Sequence, residues 1–250
     1  MADARWLFLS DAHLAPGDTA CQGELARFLR DFPGLTHLCI NGDLFDFFVG
    51  FRRREMAGFE TLLAALRDLT GRGVTLHYVE GNHDFCLGPR FAAAYGAQLH
   101  PDHATLTLGT QRVWVEHGDL ANPAEHLAHL FRWLFRSRAA LLLAEFIGPA
   151  RLQRFGRWLD RATGDAHYMV RATAHPCFRA HAAHRIAAGY DVVILGHAHI
   201  PSDEVVEAGG RRGRYLNLGD WLAHRSYVTW DATAGFRLHE DGGAPVTPPR

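Results

Sequence analysis

The stretch Glu80-Gly81-Asn82-His83-Asp84-Phe85 reads EGNHDF, and it follows the apolar run Val74-Thr75-Leu76-His77-Tyr78-Val79. A short run of this kind suits a strand buried on both faces. Gly and Asn explain a turn at its end. They do not explain an amide, an imidazole and a carboxylate in succession. At the end of a buried strand such groups are unfavourable unless they are paired or hold something.

The arrangement recurs along the chain. Trp6 to Leu9 ends in Ser10-Asp11-Ala12-His13, and Leu38 to Ile40 ends in Asn41-Gly42-Asp43. Val113 to Val115 ends in Glu116-His117-Gly118-Asp119, and Val192 to Leu195 ends in Gly196-His197-Ala198-His199. Leu216 to Leu218 ends in Gly219-Asp220-Trp221. Helical patterns separate the early runs: Leu25, Phe28 and Leu29 share one face, as do Leu62, Leu63, Leu66 and Leu69. Strand alternating with helix predicts an α/β sheet. After Gln98, short strands joined by tight turns, as in Thr105 to Val113, predict a second, antiparallel or mixed sheet.

In α/β sheets ligands bind at the carboxyl ends of the strands. Five of those ends carry metal-ligand residue types: Asp11 with His13, Asp43, Asn82, His117, and His197 with His199. If extended, Asp-x-His and His-x-His project alternate side chains to one side, where they can share a metal. Each residue alone has a bland explanation: Asp11 as a helix cap, Asp43 and Asn82 as turn residues, His117 as a bonded core histidine. Five strand-end clusters in one chain are not explained that way.

Composition bounds the rest. A chain of 250 residues that is 48% hydrophobic and 21% charged builds one large globular core or two small ones. The formal net charge is −1 and all 26 basic residues are Arg, so no global field draws it to nucleic acid. Cys21, Cys39, Cys86 and Cys177 are widely spaced, which reads as free thiols in a reducing compartment. The first ten residues lack a signal-peptide pattern, and no run approaches the ~18 apolar residues of a membrane span. A cytoplasmic protein is expected. One segment stands apart: from His126 to Arg161 there are seven Arg and only two acids, Glu145 and Asp160, among many apolar residues. It reads as a helical insertion broken near Gly148-Pro149. The expected organisation is one domain over 1–242, an insertion over about 123–188, and a frayed tail over 243–250.

SDAHL, NGDLFD, EGNHDF, EHGD and LGHAHIP together resemble the five ordered motifs of calcineurin-like metallophosphoesterases. The resemblance covers the chain apart from the insertion and the last residues. It implies an α/β fold, a two-sheet αββα sandwich with a helical lid, and two divalent metal ions at the strand ends. It implies that Asp11, His13, Asp43 and His199 hold one ion, that Asp43, Asn82, His117 and His197 hold the other, and that Asp43 bridges them. Oxygen and imidazole donors without thiolate suit Mn²⁺, with Fe or Zn²⁺ as alternatives. Two such ions polarise a phosphoryl oxygen and lower the pKa of the attacking water. His83 resembles the family histidine that contacts the transferring phosphoryl group, with Asp84 as its orienting acceptor. Asp46 falls near the metals but outside the ligand set.

Within the family, GDLFDFF, GNHDF, HGD, the insertion and YLNLGDW resemble the UDP-2,3-diacylglucosamine hydrolases of lipid A synthesis. These cleave a pyrophosphate to UMP and a lipid monophosphate. The best known of them carry Arg where this chain has His83. The resemblance implies an amphipathic nucleotide-lipid substrate and a peripheral position on the inner-membrane surface. Candidate substrate contacts are Arg52, Arg53, Phe131, Trp133, Leu134, Asp220 and Trp221. The alternatives are another phosphodiesterase or phosphatase acting on a nucleotide or phospholipid, and a non-catalytic metal-binding scaffold.

Overall fold

In the computed structural model, which describes residues 4–123 and 126–240, two mixed sheets lie face to face with helices outside both. The first sheet has the order β13-β12-β1-β2-β4-β6. Its parallel centre is β1 (Arg5–Leu9), β2 (His37–Asn41), β4 (Thr75–Val79) and β6 (Ala97–His100), joined through α1 (Thr19–Asp31), α2 (Glu60–Gly71) and α3 (Gly88–Tyr95). The hairpin of β12 (Ser226–Asp231) and β13 (Gly235–Glu240) closes one edge antiparallel to β1. A two-strand ribbon of β3 (Phe48–Val49) and β5 (Asp84–Phe85) lies beside the strand ends.

The second sheet has the order β10-β11-β9-β8-β7. It comprises β7 (His103–Leu108), β8 (Gln111–Glu116), β9 (Val192–Leu195), β10 (Ser202–Ala208) and β11 (Arg211–Asn217). Between β8 and β9 the chain forms α4 (His126–Phe135), α5 (Arg138–Ile147) and α6 (Pro149–Ala187).

Alternation along the strands builds the layers. Leu7, Leu9, Leu38, Ile40, Leu76 and Tyr78 face α1 and α2, where Leu25, Leu29, Leu62 and Leu66 meet them. Trp6, Phe8, Cys39 and Val79 point the other way, onto Val113, Val115, Val192, Ile194 and Leu216 of the second sheet. Fully burying one such side chain stabilises the fold by about 1.5–3 kcal/mol, so both faces of the first sheet are strongly specified. The predicted αββα sandwich is the fold observed.

The insertion differs from expectation at its C-terminal end. Phe178, Ala182 and Ile186 recur every four residues and pack on Trp114, Val193, Leu195 and Tyr215, the outer face of the second sheet. That end of α6 is therefore an outer layer of the sandwich and not part of a lid. The expected tail 243–250 lies outside the described residues, as does the side chain of Phe131.

Candidate metal centre

Five loops leave the carboxyl ends of β1, β2, β4, β8 and β9 and are stitched together by their backbones. Asp11 N donates to Gly42 O (3.1 Å), His13 N to Asp43 O (3.0 Å) and Gly196 N to His117 O (2.8 Å). Trp221 N donates to Asp11 O (3.3 Å).

The convergence is not achieved by extended backbone, as the sequence spacing suggested. Asp11 (φ 53°), His13 (39°), Asp43 (52°), His197 (63°) and His199 (56°) are all left-handed. Only Cys86 and Arg225 join them among the described non-glycine residues. Such conformations cost of order 1–3 kcal/mol each and persist where surrounding structure over-determines them. Strands buried on both faces, with loops bonded to one another, supply that constraint. Left-handed turns, and not a pleated segment, bring these side chains together.

Two glycines make room. A Cβ on Gly81 would stand 2.1 Å from Asp43 Oδ1, and one on Gly42, which has φ +78°, would stand 2.5 Å from His117 Nδ1. Both positions need the absence of a side chain for the loops to close.

The side chains form two adjoining groups. Asp11, His13 and His199 make the first: His13 Nε2 lies 3.3 Å from His199 Nε2, and Asp11 Oδ1 lies 3.0 Å from His199 Nε2. Asp43, His117 and His197 make the second: His117 Nε2 lies 3.3 Å from Asp43 Oδ2 and 3.2 Å from His197 Nδ1. Asn82 Oδ1 joins the second group, 3.0 Å from His117 Nε2. Asp43 Oδ2 also lies 3.8 Å from His13 Nε2, which puts it between the groups.

These residues fit divalent cations. Asp11 and Asp43 are fully buried. Each has one oxygen held by a backbone N–H: Asp11 Oδ2 by His197 N (2.9 Å), and Asp43 Oδ1 by His83 N (2.9 Å). The other oxygens, Asp11 Oδ1 and Asp43 Oδ2, have no donor aligned on them despite the nearby imidazoles. A buried carboxylate oxygen without a donor is costly unless a cation takes the donor's place. His117 Nδ1 lies 2.9 Å from Asn41 O, a carbonyl that can only accept. That bond protonates Nδ1 and aims Nε2 at the group, the usual support for a ligating histidine. Burial alone would lower the His117 pKa, but the charges of Asp43 and Asp11 raise it to about 10. The same carboxylates that hold an imidazolium there favour a metal ion. Burial, outweighing the attraction of the Asp11 carboxylate 3.7 Å away, pushes His13 down to about 4, so that ring is neutral and able to ligate.

His83 and Asp84 separate. The expected bond from the His83 ring to Asp84 is replaced: His83 Nδ1 lies 2.6 Å from the backbone carbonyl of Asp46. Nδ1 is again the donor, leaving Nε2 toward the site. His83 stands edge-on to His13, with ring centroids 4.7 Å apart, and the Asp46 carboxylate approaches both rings. Asp84 instead organises loops. Its oxygens accept from the Tyr78 hydroxyl (2.6 Å) and from the N–H groups of Asp43 (3.0 Å), Leu44 (2.6 Å), Phe45 (3.3 Å) and Gly81 (3.1 Å). Burial, then the charge of Asp43, pushes its pKa up to about 7. Tyr78 is a participant the sequence reading missed, because its position in an apolar run marks it as core.

The expected substrate contacts scatter. The Asp220 carboxylate closes its own turn, accepting from His224 N–H and lying 2.7 Å from His224 Nδ1. Trp221 is buried against Phe28, with centroids 4.7 Å apart. In this fold Trp221 supports the Asp11 loop and packs on α1. Arg52 and Arg53 are exposed, and the Arg52 backbone N–H is taken by Glu145 of α5. Trp133 and Leu134 are exposed on α4, at 71% and 46%.

A family model described as calcineurin-like phosphoesterase matches residues 4–201. A protein named UDP-2,3-diacylglucosamine hydrolase from Stenotrophomonas maltophilia strain K279a is 30% identical over 242 residues, covering 90% of this chain and 94% of its own. Its namesake in Xanthomonas campestris pv. campestris strain B100 is 30% identical over 236 residues, covering 90% and 95%. A third, from Marinobacter nauticus, is 31% identical over 221 residues, covering 86% and 88%.

Proposed function

This chain belongs to the calcineurin-like phosphoesterase family, a family of metal-dependent phosphoester hydrolases, and from that membership we propose that it cleaves the pyrophosphate of UDP-2,3-diacylglucosamine to UMP and a lipid monophosphate. The observation that carries the reading is the pair of buried carboxylate oxygens, Asp11 Oδ1 and Asp43 Oδ2, left without donors beside four imidazoles. Asp11, His13, Asp43 and His199 would hold one divalent cation and Asp43, Asn82, His117 and His197 the other, with Mn²⁺ the best fit to oxygen and imidazole donors. When bound, the pair supplies neutralising charge for the phosphoryl oxygens and an attacking water of lowered pKa.

The chain's own residues do the rest. Asp46 O fixes the His83 tautomer, so Nε2 faces the reacting phosphorus and donates to its oxygens when charged. Asp84 holds the backbone of Asp43 and Gly81, which keeps the shared carboxylate in register. The first sheet and α1 exclude water from behind Asp11 and Asp43, where a low dielectric strengthens each contact.

α4, α5 and the N-terminal part of α6 form the lid. Phe135, Leu141 and Leu152 pack on the body, whereas Leu142, Leu143 and Phe146 are exposed at 62%, 57% and 85%. With Trp133 and Leu134 these make an apolar surface among arginines, suited to acyl chains and to the anionic cytoplasmic face of the inner membrane. Among the described residues no helix is long and apolar enough to cross a membrane.

The deciding experiment incubates Mn²⁺-loaded protein with UDP-2,3-diacylglucosamine and with its deacylated analogue, and measures UMP. Release from the acylated substrate, with the analogue at least ~10-fold slower, is expected from the loss of apolar contacts. Equal rates sink acyl recognition by the lid. Hydrolysis that survives both Asp43→Ala and His117→Ala sinks the two-metal site. Flotation with anionic liposomes at low salt tests the surface, and recovery of all protein at the bottom rejects it.

A further inference from the structure

α4 meets the site through two arginines one helical turn apart, on the same face. Arg132 donates from Nη1 to Asp119 Oδ2 (2.6 Å), and from Nη2 to Asp102 Oδ1 (2.9 Å) and Pro101 O (3.2 Å). Arg136, the first residue beyond the helix, donates from Nη1 to Glu80 Oε2 (3.0 Å) and Pro101 O (2.7 Å), and from Nη2 to Gly81 O (3.0 Å). Its guanidinium carbon lies 5.9 Å from the centre of the Phe85 ring.

The acceptors belong to three strand ends. Glu80 and Gly81 end β4 and lead directly into Asn82. Pro101 and Asp102 turn from β6 to β7. Asp119 lies two residues beyond His117, after β8. β4 and β6 are in the first sheet, β7 and β8 in the second. The arginine pair therefore spans both sheets where they open toward the site. Glu80 extends the link, because its carboxylate also accepts from Cys86 N (2.8 Å) and Leu87 N (2.9 Å) and so closes the loop that contains Asn82 and His83.

Two simpler roles do not account for this. Arginines that bind a substrate phosphate present free donors, whereas these side chains are only 10% and 16% exposed and six donor contacts already go to protein oxygens. Surface ion pairs contribute little when both partners are solvated. Here Asp119 and Glu80 are themselves 9% and 4% exposed, so removing an arginine leaves a buried carboxylate unpaired.

We propose that Arg132 and Arg136 are positioning residues that tie the lid helix to the loops carrying Asn82 and His117, so that seating of the helix and occupancy of that half of the metal centre rise and fall together. The proposal rests on the reading of Asn82 and His117 as ligands. None of these bonds reaches Asp11, His13 or His199, and of the other ion's assigned ligands it is the shared Asp43 that bonds to the clamped loop, through His83 N (2.9 Å), so that half depends on the clamp less.

Titration calorimetry with Mn²⁺ and amide exchange of α4 test it without any substrate. Wild-type protein binds two ions, and the amides of α4 exchange more slowly once Mn²⁺ is present. Arg132→Gln and Arg136→Gln weaken one ion by about 10–100-fold, the range for lost support of a ligand, and leave the other within about threefold. In both variants α4 loses its Mn²⁺-dependent protection. Arg136→Lys restores the charge opposite Glu80 but cannot bridge Gly81 O and Pro101 O, and falls between. The proposal is overturned if both ions weaken equally, if neither does, or if α4 in the wild type exchanges at the same rate with and without Mn²⁺. That last measurement needs no variant and decides the matter if the substitutions prevent folding. Fewer than two ions in the wild type defeats the metal-centre reading itself, whereas two ions unaffected by the variants defeats only the clamp.

Discussion

Asp84→Asn separates a carboxylate that organises loops from one that serves the reaction through His83. Oδ1 accepts from the N–H of Asp43 and Gly81, and Oδ2 from the N–H of Leu44 and Phe45 and from the Tyr78 hydroxyl. An amide has a single oxygen, so in either orientation its NH₂ faces two backbone donors. Tyr78 can rotate its proton away and accept; a backbone N–H cannot. Each stranded buried donor costs about 1–3 kcal/mol, which gives about 2–6 kcal/mol in all. There is an opposing contribution. Burial and then Asp43 raise the folded pKa to about 7, so the carboxylate opposes folding increasingly as pH rises from its ordinary 3.8 to about 7. Asn removes that opposition, which at about 1.4 kcal/mol per pKa unit offsets the loss by about 4 kcal/mol at pH 7 but by only about 1 kcal/mol at pH 4.5, leaving a net loss of about 1–5 kcal/mol at pH 4.5. In a chain of this size the melting temperature at pH 4.5 falls by about 2–4 °C for each kcal/mol lost. Thermal and urea unfolding of the metal-free protein measure it directly. A variant whose metal-free Tm at that pH stays within about 1 °C of wild type while kcat drops would refute the structural role and restore Asp84 as the partner of His83.

Three further outcomes follow from the same geometry. Gly81→Ala places a Cβ 2.1 Å from Asp43 Oδ1; after gel filtration the variant should retain fewer than two Mn²⁺ per chain with normal far-UV dichroism, and full retention would remove Asp43 from the shared position. Burial, helped by His100 and His37, lowers the His77 pKa from 6.5 to about 4, so the unfolded chain takes its proton first as pH falls; stability is level above about 6.5 and declines toward 4. His77→Leu should flatten that decline in urea midpoints of the metal-free protein at pH 7.5 and 5, and parallel profiles would contradict it. Gly156→Leu drives a side chain into the Phe47 ring, whose nearest atom is 2.5 Å from the Cβ position, at an overpacking cost of about 1–3 kcal/mol. The lipid substrate should then turn over at least ~10-fold more slowly while a small phosphodiester is hydrolysed at nearly the wild-type rate; equal losses on both would show that α6 does not act through the lid.

EGNHDF and the four runs like it determined the class of chemistry. A carboxylate or imidazole at the end of a buried strand is intelligible from local sequence, because its cost is local. The continuous apolar runs were legible as strands covered on both faces, as Leu7, Leu9, Leu38 and Ile40 on one side and Trp6, Phe8 and Cys39 on the other are, whereas the αββα sandwich itself was implied by the family resemblance. Partners were not legible, because a hydrogen bond depends on distances between segments far apart in the chain. His83 and Asp84 are adjacent in sequence, yet one bonds Asp46 O and the other collects donors from residues 43–45, 78 and 81. Asp220 and Trp221 became candidate substrate contacts through the resemblance of YLNLGDW, and only the fold shows that the Asp220 carboxylate bonds within its own turn and that Trp221 packs on α1. Arg132 and Arg136 were two of the seven arginines in a basic segment, and only their position over three strand ends distinguishes them. Sequence fixes which groups must find a partner, since burial makes solitude costly; tertiary structure decides which partner each one finds, since only the packed chain sets the distances.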